Sequence, residues 1–339
     1  MTRLRVIAAA GVAAAILTLA LAGCGGNGGT ASLVLYSGEH PQLTSALVQA
    51  FTRQTHIKVS VRSGDGIVLA DQILQEGDAS PADVYLTENS PELMNLEEHK
   101  LLAKLPARTL GQVPAREQSP AGEWVGVALR VSSLAYDPAR ITSSQLPPSV
   151  LQLAASSWKG RIAVAPTDSD FPPVVGAVIA TYGKSAAAKW LAGLKRNAQI
   201  YQDEEAVVAA VNRGDVAAGL VNQYYWYRLQ LELGQNKIHS KLYYFPSHDP
   251  GSVENIAGAA VLASSKRSVA AGRLVQFISG AAGQRILAGS YDFEYPARPG
   301  MAPNPALPPL SSISLAAVSP AALGTGQTAV QLIEQAGLA

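Results

Sequence analysis

The sequence has 339 residues, 48% of them hydrophobic, enough for more than one apolar core. Lys and Arg number 26 against 25 Asp and Glu, a formal charge of +1, with no basic block and no aromatic–basic interleaving, so nucleic acid is excluded as a partner. The single cysteine, Cys24, excludes a disulfide within the chain.

The first 24 residues read as an address. Arg3 and Arg5 precede a near-continuous apolar stretch over 6–20, which runs into Leu21, Ala22, Gly23 and Cys24. This is the layout of a secretory signal, and its last four residues resemble the bacterial lipoprotein cleavage box. The apolar run falls short of the roughly 20 residues that a membrane span needs. The expectation is a signal peptide over 1–23, lipid on Cys24 and a glycine-rich tether over 24–31. More than one acyl chain on that cysteine makes membrane anchoring stable. The protein then belongs to the cell envelope, on the outer face of the cytoplasmic membrane or in the periplasm. Without Arg3 and Arg5 the remaining chain carries 24 basic against 25 acidic residues, a formal −1.

Strand-like and helix-like segments then alternate. Residues 33–36 read as a short apolar strand, and Pro41 opens a helix with Leu43, Leu47, Ala50 and Phe51 on its buried face. A second strand is expected over 57–61, a helix over 67–75, a third strand over 83–86 and a helix over 91–99. Such alternation implies parallel strands with crossover helices, an α/β fold. The stretch 124–136 is β-rich without a strong break, long enough to pass from one lobe into another. A second α/β unit follows, with strands over 161–165 and 217–221 and helices over 171–182, 184–195 and 205–213. Residues 255–263 read as a strand returning to the first lobe, followed by helices over 268–279 and 282–290. After Pro296 the chain is proline-rich and closes on a weak helix over 328–336.

Four polar residues fall just past strand ends, where open α/β sheets bind ligands. They are His40, in the run Ser37-Gly38-Glu39-His40, Glu88, in Tyr85-Leu86-Thr87-Glu88-Asn89, and the adjacent pair Tyr224 and Tyr225. A carboxylate and two phenols form an oxygen-rich, potentially multiply anionic site, which suits a hard cation. Free tyrosine has a pKa of about 10. A bound cation lowers the pKa of its ligands, so both phenols can bind as phenolates. Two phenolates and a carboxylate offset the charge of Fe(III), and His40 adds a neutral nitrogen. No Gly-x-Ser-x-Gly elbow and no His-Glu-x-x-His motif marks an enzyme.

Read together, these pieces resemble the bacterial ferric-ion-binding proteins, the iron-specific branch of the solute-binding proteins of ABC transporters. The matching runs are Leu35-Tyr36-Ser37-Gly38-Glu39-His40, Asp83-Val84-Tyr85-Leu86-Thr87-Glu88, Asn222-Gln223-Tyr224-Tyr225-Trp226-Tyr227 and Ile256-Ala257-Gly258-Ala259-Ala260-Val261-Leu262. Gly283-Gln284-Arg285 and Glu294-Tyr295-Pro296 extend the match.

The resemblance implies a two-lobe clamp of the periplasmic-binding-protein-like class II kind, each lobe a mixed or parallel sheet flanked by helices, joined by a strand hinge. The lobes are expected at 32–127 plus 255–305, and at 128–254 plus the tail 306–339. It implies Fe(III) ligands at His40, Glu88, Tyr224 and Tyr225, and delivery to an ABC permease and its ATPase by a monomer. In phosphate-using members an anion fills the remaining iron positions. The corresponding region here comprises Asn89, Arg130, Thr167, Asp168, Ser169, Glu204 and Asn222. Carboxylates stand where the family often has Ser, Gly or Asn, and they repel phosphate at close range. The iron shell is therefore expected to be completed by carbonate held at Arg130, by water, or by Asp168 or Glu204. The alternative reading is the same scaffold with another small ligand, an organic or anionic solute or chelated iron.

Overall fold

The computed structural model describes residues 32–339. The leader, Cys24 and the tether lie outside the described residues. The described chain begins with β1 (Leu33–Ser37), α1 (Pro41–Thr55), β2 (Val59–Ser63), α2 (Gly66–Glu76), β3 (Val84–Thr87) and α3 (Ser90–Glu98). β1 pairs in parallel with β2 on one side and β3 on the other. β1 and β3 are apolar because helices cover both faces of a parallel sheet. α1 starts on Pro41 and buries Leu43, Leu47 and Phe51. It ends at His56, whose φ of 59° is left-handed, and this turn delays β2 to Val59 rather than residue 57.

After the single turn α4 (Ala107–Leu110) comes β4 (Trp124–Tyr136), 13 residues buried throughout. β5 (Ile162–Val164), α5 (Phe171–Tyr182), α6 (Lys184–Asn197), β6 (Ala198–Ile200), α7 (Glu204–Arg213), β7 (Ala218–Asn222), α8 (Gln223–Leu233) and β8 (Lys241–Tyr243) form the second unit. The chain returns through β9 (Glu254–Val261), α9 (Ser268–Ile278), α10 (Ala281–Ala288) and β10 (Tyr295–Pro296). It closes on α11 (Pro320–Leu323) and α12 (Gln327–Gln335).

The strand order is β2-β1-β3-β9-β4-β7-β5-β6, with β10 and β8 also on β4. β4 changes partners along its length. Trp124 to Val131 pair antiparallel with β9, and Ser132 to Tyr136 pair antiparallel with β7. One strand thus runs through the sheets of both lobes, the arrangement of a two-lobe α/β clamp. Small polar side chains occupy the changeover: Asn222 Oδ1 accepts from Ser132 Oγ at 3.3 Å and from Asn255 Nδ2 at 3.1 Å. One apolar core gathers Phe51, Tyr85, Leu93 and Trp124. The other gathers Phe171, Trp190, Leu220 and Phe245. α11 and α12 pack on α5 and sit on the second core, whereas Leu307 and Ile313 before them belong to the first. Among the described residues no helix is long and apolar enough to cross a membrane.

Candidate metal centre

The loops past β1, β3, β5 and β7 meet around one cleft. The loop after β1 carries Glu39 and His40, and the loop after β3 carries Glu88 and Asn89. A main-chain bond from Gly38 N to Leu86 O at 2.8 Å ties these two loops. Gly38 is required there: a Cβ would stand 2.6 Å from the Cα of Gly66. His40 Nε2 lies 3.5 Å from Glu88 Oε1. From the opposite side, β7 delivers Tyr224 and Tyr225 in the first turn of α8. Their ring centroids are 4.0 Å apart, and the Tyr224 ring meets the His40 ring edge-on at 5.3 Å. The structure therefore brings His40, Glu88, Tyr224 and Tyr225 together.

Arg130 is the only buried Lys or Arg among the described residues. It projects from β4, and carboxylates surround it. Its Nη1 is 3.2 Å from Glu88 Oε2, its Nη2 3.5 Å from Asp170 Oδ1, and its Nε 3.5 Å from Glu294 Oε1. Nη2 also donates to the Glu88 carbonyl and, at 3.0 Å, to Asn89 Oδ1. Asn89 bridges the cleft, donating from Nδ2 to the Ser169 carbonyl at 3.2 Å and to Asp170 Oδ1 at 3.3 Å.

The anion region divides. Asp168 turns inward on its own loop, accepting from the amides of Asp170 and Glu204, each at 3.0 Å. Glu204 accepts from the Asn222 amide at 2.6 Å. Ser169 contributes its carbonyl, and Thr167 is exposed, with its hydroxyl donating to the Gln202 carbonyl at 3.4 Å. The carboxylate that reaches the phenols is Asp170, which accepts from the Tyr224 hydroxyl at 3.1 Å through Oδ2. Asp170, two residues past Asp168, is the member of this loop that aims inward. Glu39 and Glu294 belonged to matching runs without a role, and Arg228 carried no signal beyond its place one turn past the tyrosines. Arg228 Nη1 lies 3.5 Å from His40 Nε2, and its guanidinium stands 6.0 and 5.9 Å from the Tyr224 and Tyr225 rings.

Burial pushes Glu88 up to about 8, against the pull of Arg130. Burial and the neighbouring Glu88 raise Glu39 to about 7, and burial with Asp170 raises Asp168 to about 7. Glu204 and Glu294 are raised well above the usual carboxylate range by burial, and nearby acids add to it. Burial likewise pushes both phenols well above 10, with Asp170 the largest charge contribution to each. Acids and phenols crowded out of water hold their protons until a strong cation displaces them.

A family model described as bacterial extracellular solute-binding protein matches residues 79–313. The chain belongs to this family. Among relatives of this solute-binding protein, the Fe(3+)-binding periplasmic protein of Serratia marcescens is 40% identical over 306 residues, covering 90% of each chain. The major ferric iron-binding protein of Neisseria meningitidis is 36% identical over 310 residues, covering 91% of this chain and 93% of its own. The crystal structure of iron-bound HitA from Pseudomonas aeruginosa superposes with a TM-score of 0.86 at 40% identity, covering 91% of this chain and 99% of the other. This solute-binding protein is not an enzyme, and its fold is the two-lobe α/β clamp of those relatives.

Proposed function

We propose that this protein captures Fe(III) between its lobes and delivers it to an ABC permease. His40 and Glu88 supply the first lobe's donors, and Tyr224 and Tyr225 supply the second lobe's donors as phenolates. The observation that carries this reading is the meeting of the four side chains across the cleft, with His40 3.5 Å from Glu88 and its ring 5.3 Å from Tyr224. The names of relatives at 36–40% identity point the same way. The lobes run over 32–127 with 255–305 and over 128–254 with 306–339. Donors on both lobes let the ion stabilise the closed clamp by its differential affinity. Release follows where the permease favours the open form. Lipid on Cys24 keeps this monomeric protein beside its permease and ATPase.

Phosphate is a poor partner for this site. Two unit charges about 4 Å apart near a protein surface interact by about 4 kcal/mol. Once Fe(III) drives protons from Asp168 and Glu204, that repulsion falls on phosphate. Carbonate at Arg130, water or one of these carboxylates completes the iron shell. Asp170 joins Asp168 and Glu204 as a candidate because its Oδ2 lies 3.1 Å from the Tyr224 hydroxyl.

Visible titration with a weakly chelated ferric salt tests the reading. The expected result is a phenolate-to-iron charge-transfer band saturating at one ion per chain and absent from the Tyr224→Phe/Tyr225→Phe variant. A wild-type protein without the band in carbonate, phosphate and anion-poor buffers contradicts it and directs the search to another small ligand.

A further inference from the structure

The first lobe holds three potential ligands in one place without help from the second. Glu39, His40 and Glu88 each offer one atom, and these atoms lie within 4.8 Å of one another. Three donors spread evenly around a small cation, each about 2.1 Å away, stand about 3.6 Å apart. His40 Nε2 and Glu88 Oε1 already have that spacing at 3.5 Å, so a shift of the Glu39 carboxylate by about an ångström brings the three onto one ion.

Glu39 is the member without an assigned role. It is 2% exposed, an unusual environment for a carboxylate. Its Oε1 accepts from the His40 amide at 3.1 Å, which orients the group. Its Oε2 is buried without a hydrogen-bond partner. An unsatisfied buried carboxylate oxygen beside an imidazole and a second carboxylate is the donor a cation lacks elsewhere in the loop. Glu88 divides its oxygens in a matching way, with Oε2 on Arg130 and Oε1 toward His40.

The backbone preforms this arrangement. β1 and β3 are paired neighbours, and the Gly38–Leu86 bond ties the loops that follow them. The Glu39 amide donates to Ser37 Oγ at 3.3 Å, and the Glu39 carbonyl accepts from Thr44 Oγ1 at 3.4 Å. Both partners belong to the same lobe. A surface hollow of about 320 Å³, lined by Gly38, Glu39, His40, Pro41, Ser63 and Gly64, opens beside the group. The competing cation at His40, Arg228, rides on α8 in the second unit and not on the first lobe.

We propose that Glu39, His40 and Glu88 form a three-donor cation site lying wholly on the first lobe, where a hard metal ion lodges before Tyr224 and Tyr225 close on it. The order of capture rests on the ferric reading above; the site itself does not. Two carboxylates and one imidazole with open positions suit di- and trivalent first-row ions.

The probe is Mn(II), followed through the electron paramagnetic resonance signal of the free aquo ion. The full chain carrying Tyr224→Phe/Tyr225→Phe is expected to bind one Mn(II), and adding Glu39→Gln to weaken it at least about tenfold, the loss typical even of an outer partner of a ligand. No Mn(II) binding by the double variant, or an affinity indifferent to Glu39→Gln, overturns the proposal. If the double variant does not fold, stopped-flow ferric loading of Glu39→Gln in the otherwise unchanged chain decides. A rate lowered about tenfold with the same final band supports the triad, and an unchanged rate overturns it. Loss of the ferric band in the unchanged chain bears on the proposed function alone, since the Mn(II) titration does not depend on it.

Discussion

The two halves of the site are built on opposite principles. On the first lobe, His40 and Glu88 stand on loops that main-chain bonds hold in register, beside an open hollow. On the second, Tyr224 and Tyr225 are buried in the first turn of a helix, with burial and Asp170 opposing their ionisation. On the proposed ferric reading, the first half is prepared for an ion by geometry, and the second becomes a ligand set only when an ion's charge removes its protons. Under that proposal a clamp assembled this way holds weakly on one lobe and tightly only when both are engaged, which couples closure to affinity.

The largest expected effect comes from removing the half that answers to charge. The Tyr224→Phe/Tyr225→Phe variant loses two ligands, and at about 100-fold each its ferric affinity falls by about 10⁴-fold in a competition titration against a chelator of known strength. Loss of less than tenfold would mean that the phenols are packing groups. Arg130 links both halves, pairing with Glu88, Asp170 and Glu294. Arg130→Met leaves the buried Asp170 carboxylate without its cation, and chemical denaturation of the metal-free form at about pH 7 should show a loss of about 3–5 kcal/mol. A loss under about 1 kcal/mol would mean that the Arg130–Asp170 pair does not hold the two halves together.

The pH dependence separates the halves further. Glu88 sits at about 8 and Glu39 at about 7 when folded, against about 4.3 in an unfolded chain. Acids raised by folding bind more protons in the folded state. Their stabilising contribution is therefore fully present below about pH 4.3 and is lost as pH rises through about 7 to 8. On the proposed ferric reading these groups and the phenols are ionised in the loaded form, so protons compete with the ion and acid weakens the complex. Calorimetry of both forms between about pH 5 and about pH 8.5 should find a Tm gap that widens with pH. A metal-free Tm that rises over this range contradicts the burial of these acids.

Smaller effects are expected at the loop after β5. Asp170→Ala removes the carboxylate nearest Tyr224, and phosphate should then raise ferric affinity several-fold where it does not in the wild type. Equal phosphate sensitivity in both proteins would remove Asp170 from the iron shell. Thr167→Ala changes an exposed hydroxyl and should alter stability by no more than about 0.5 kcal/mol, with the charge-transfer band intact.

Much of this was legible because strand ends locate ligand sites in α/β sheets. The parallel β1, β2 and β3 and the long β4 follow from apolar runs and their breaks. β6 and β8 were not legible, since three residues at the margin of a sheet carry no period. The loop after β5 shows the deeper limit. Its two aspartates stand two residues apart, and composition cannot say which one faces the cleft. The turn decides: Asp168 is used up on the amides of Asp170 and Glu204, and Asp170 is left to meet Tyr224. Glu39 was hidden for a related reason, because an acid beside His40 reads as a solvated neighbour until its burial is known.

The most direct measurement is the iron anomalous signal from crystals of protein loaded with Fe(III) in phosphate-free buffer. The account predicts one iron peak per chain, bonded to His40, Glu88, Tyr224 and Tyr225. No peak in the cleft, or a peak bonded to neither tyrosine, would contradict it.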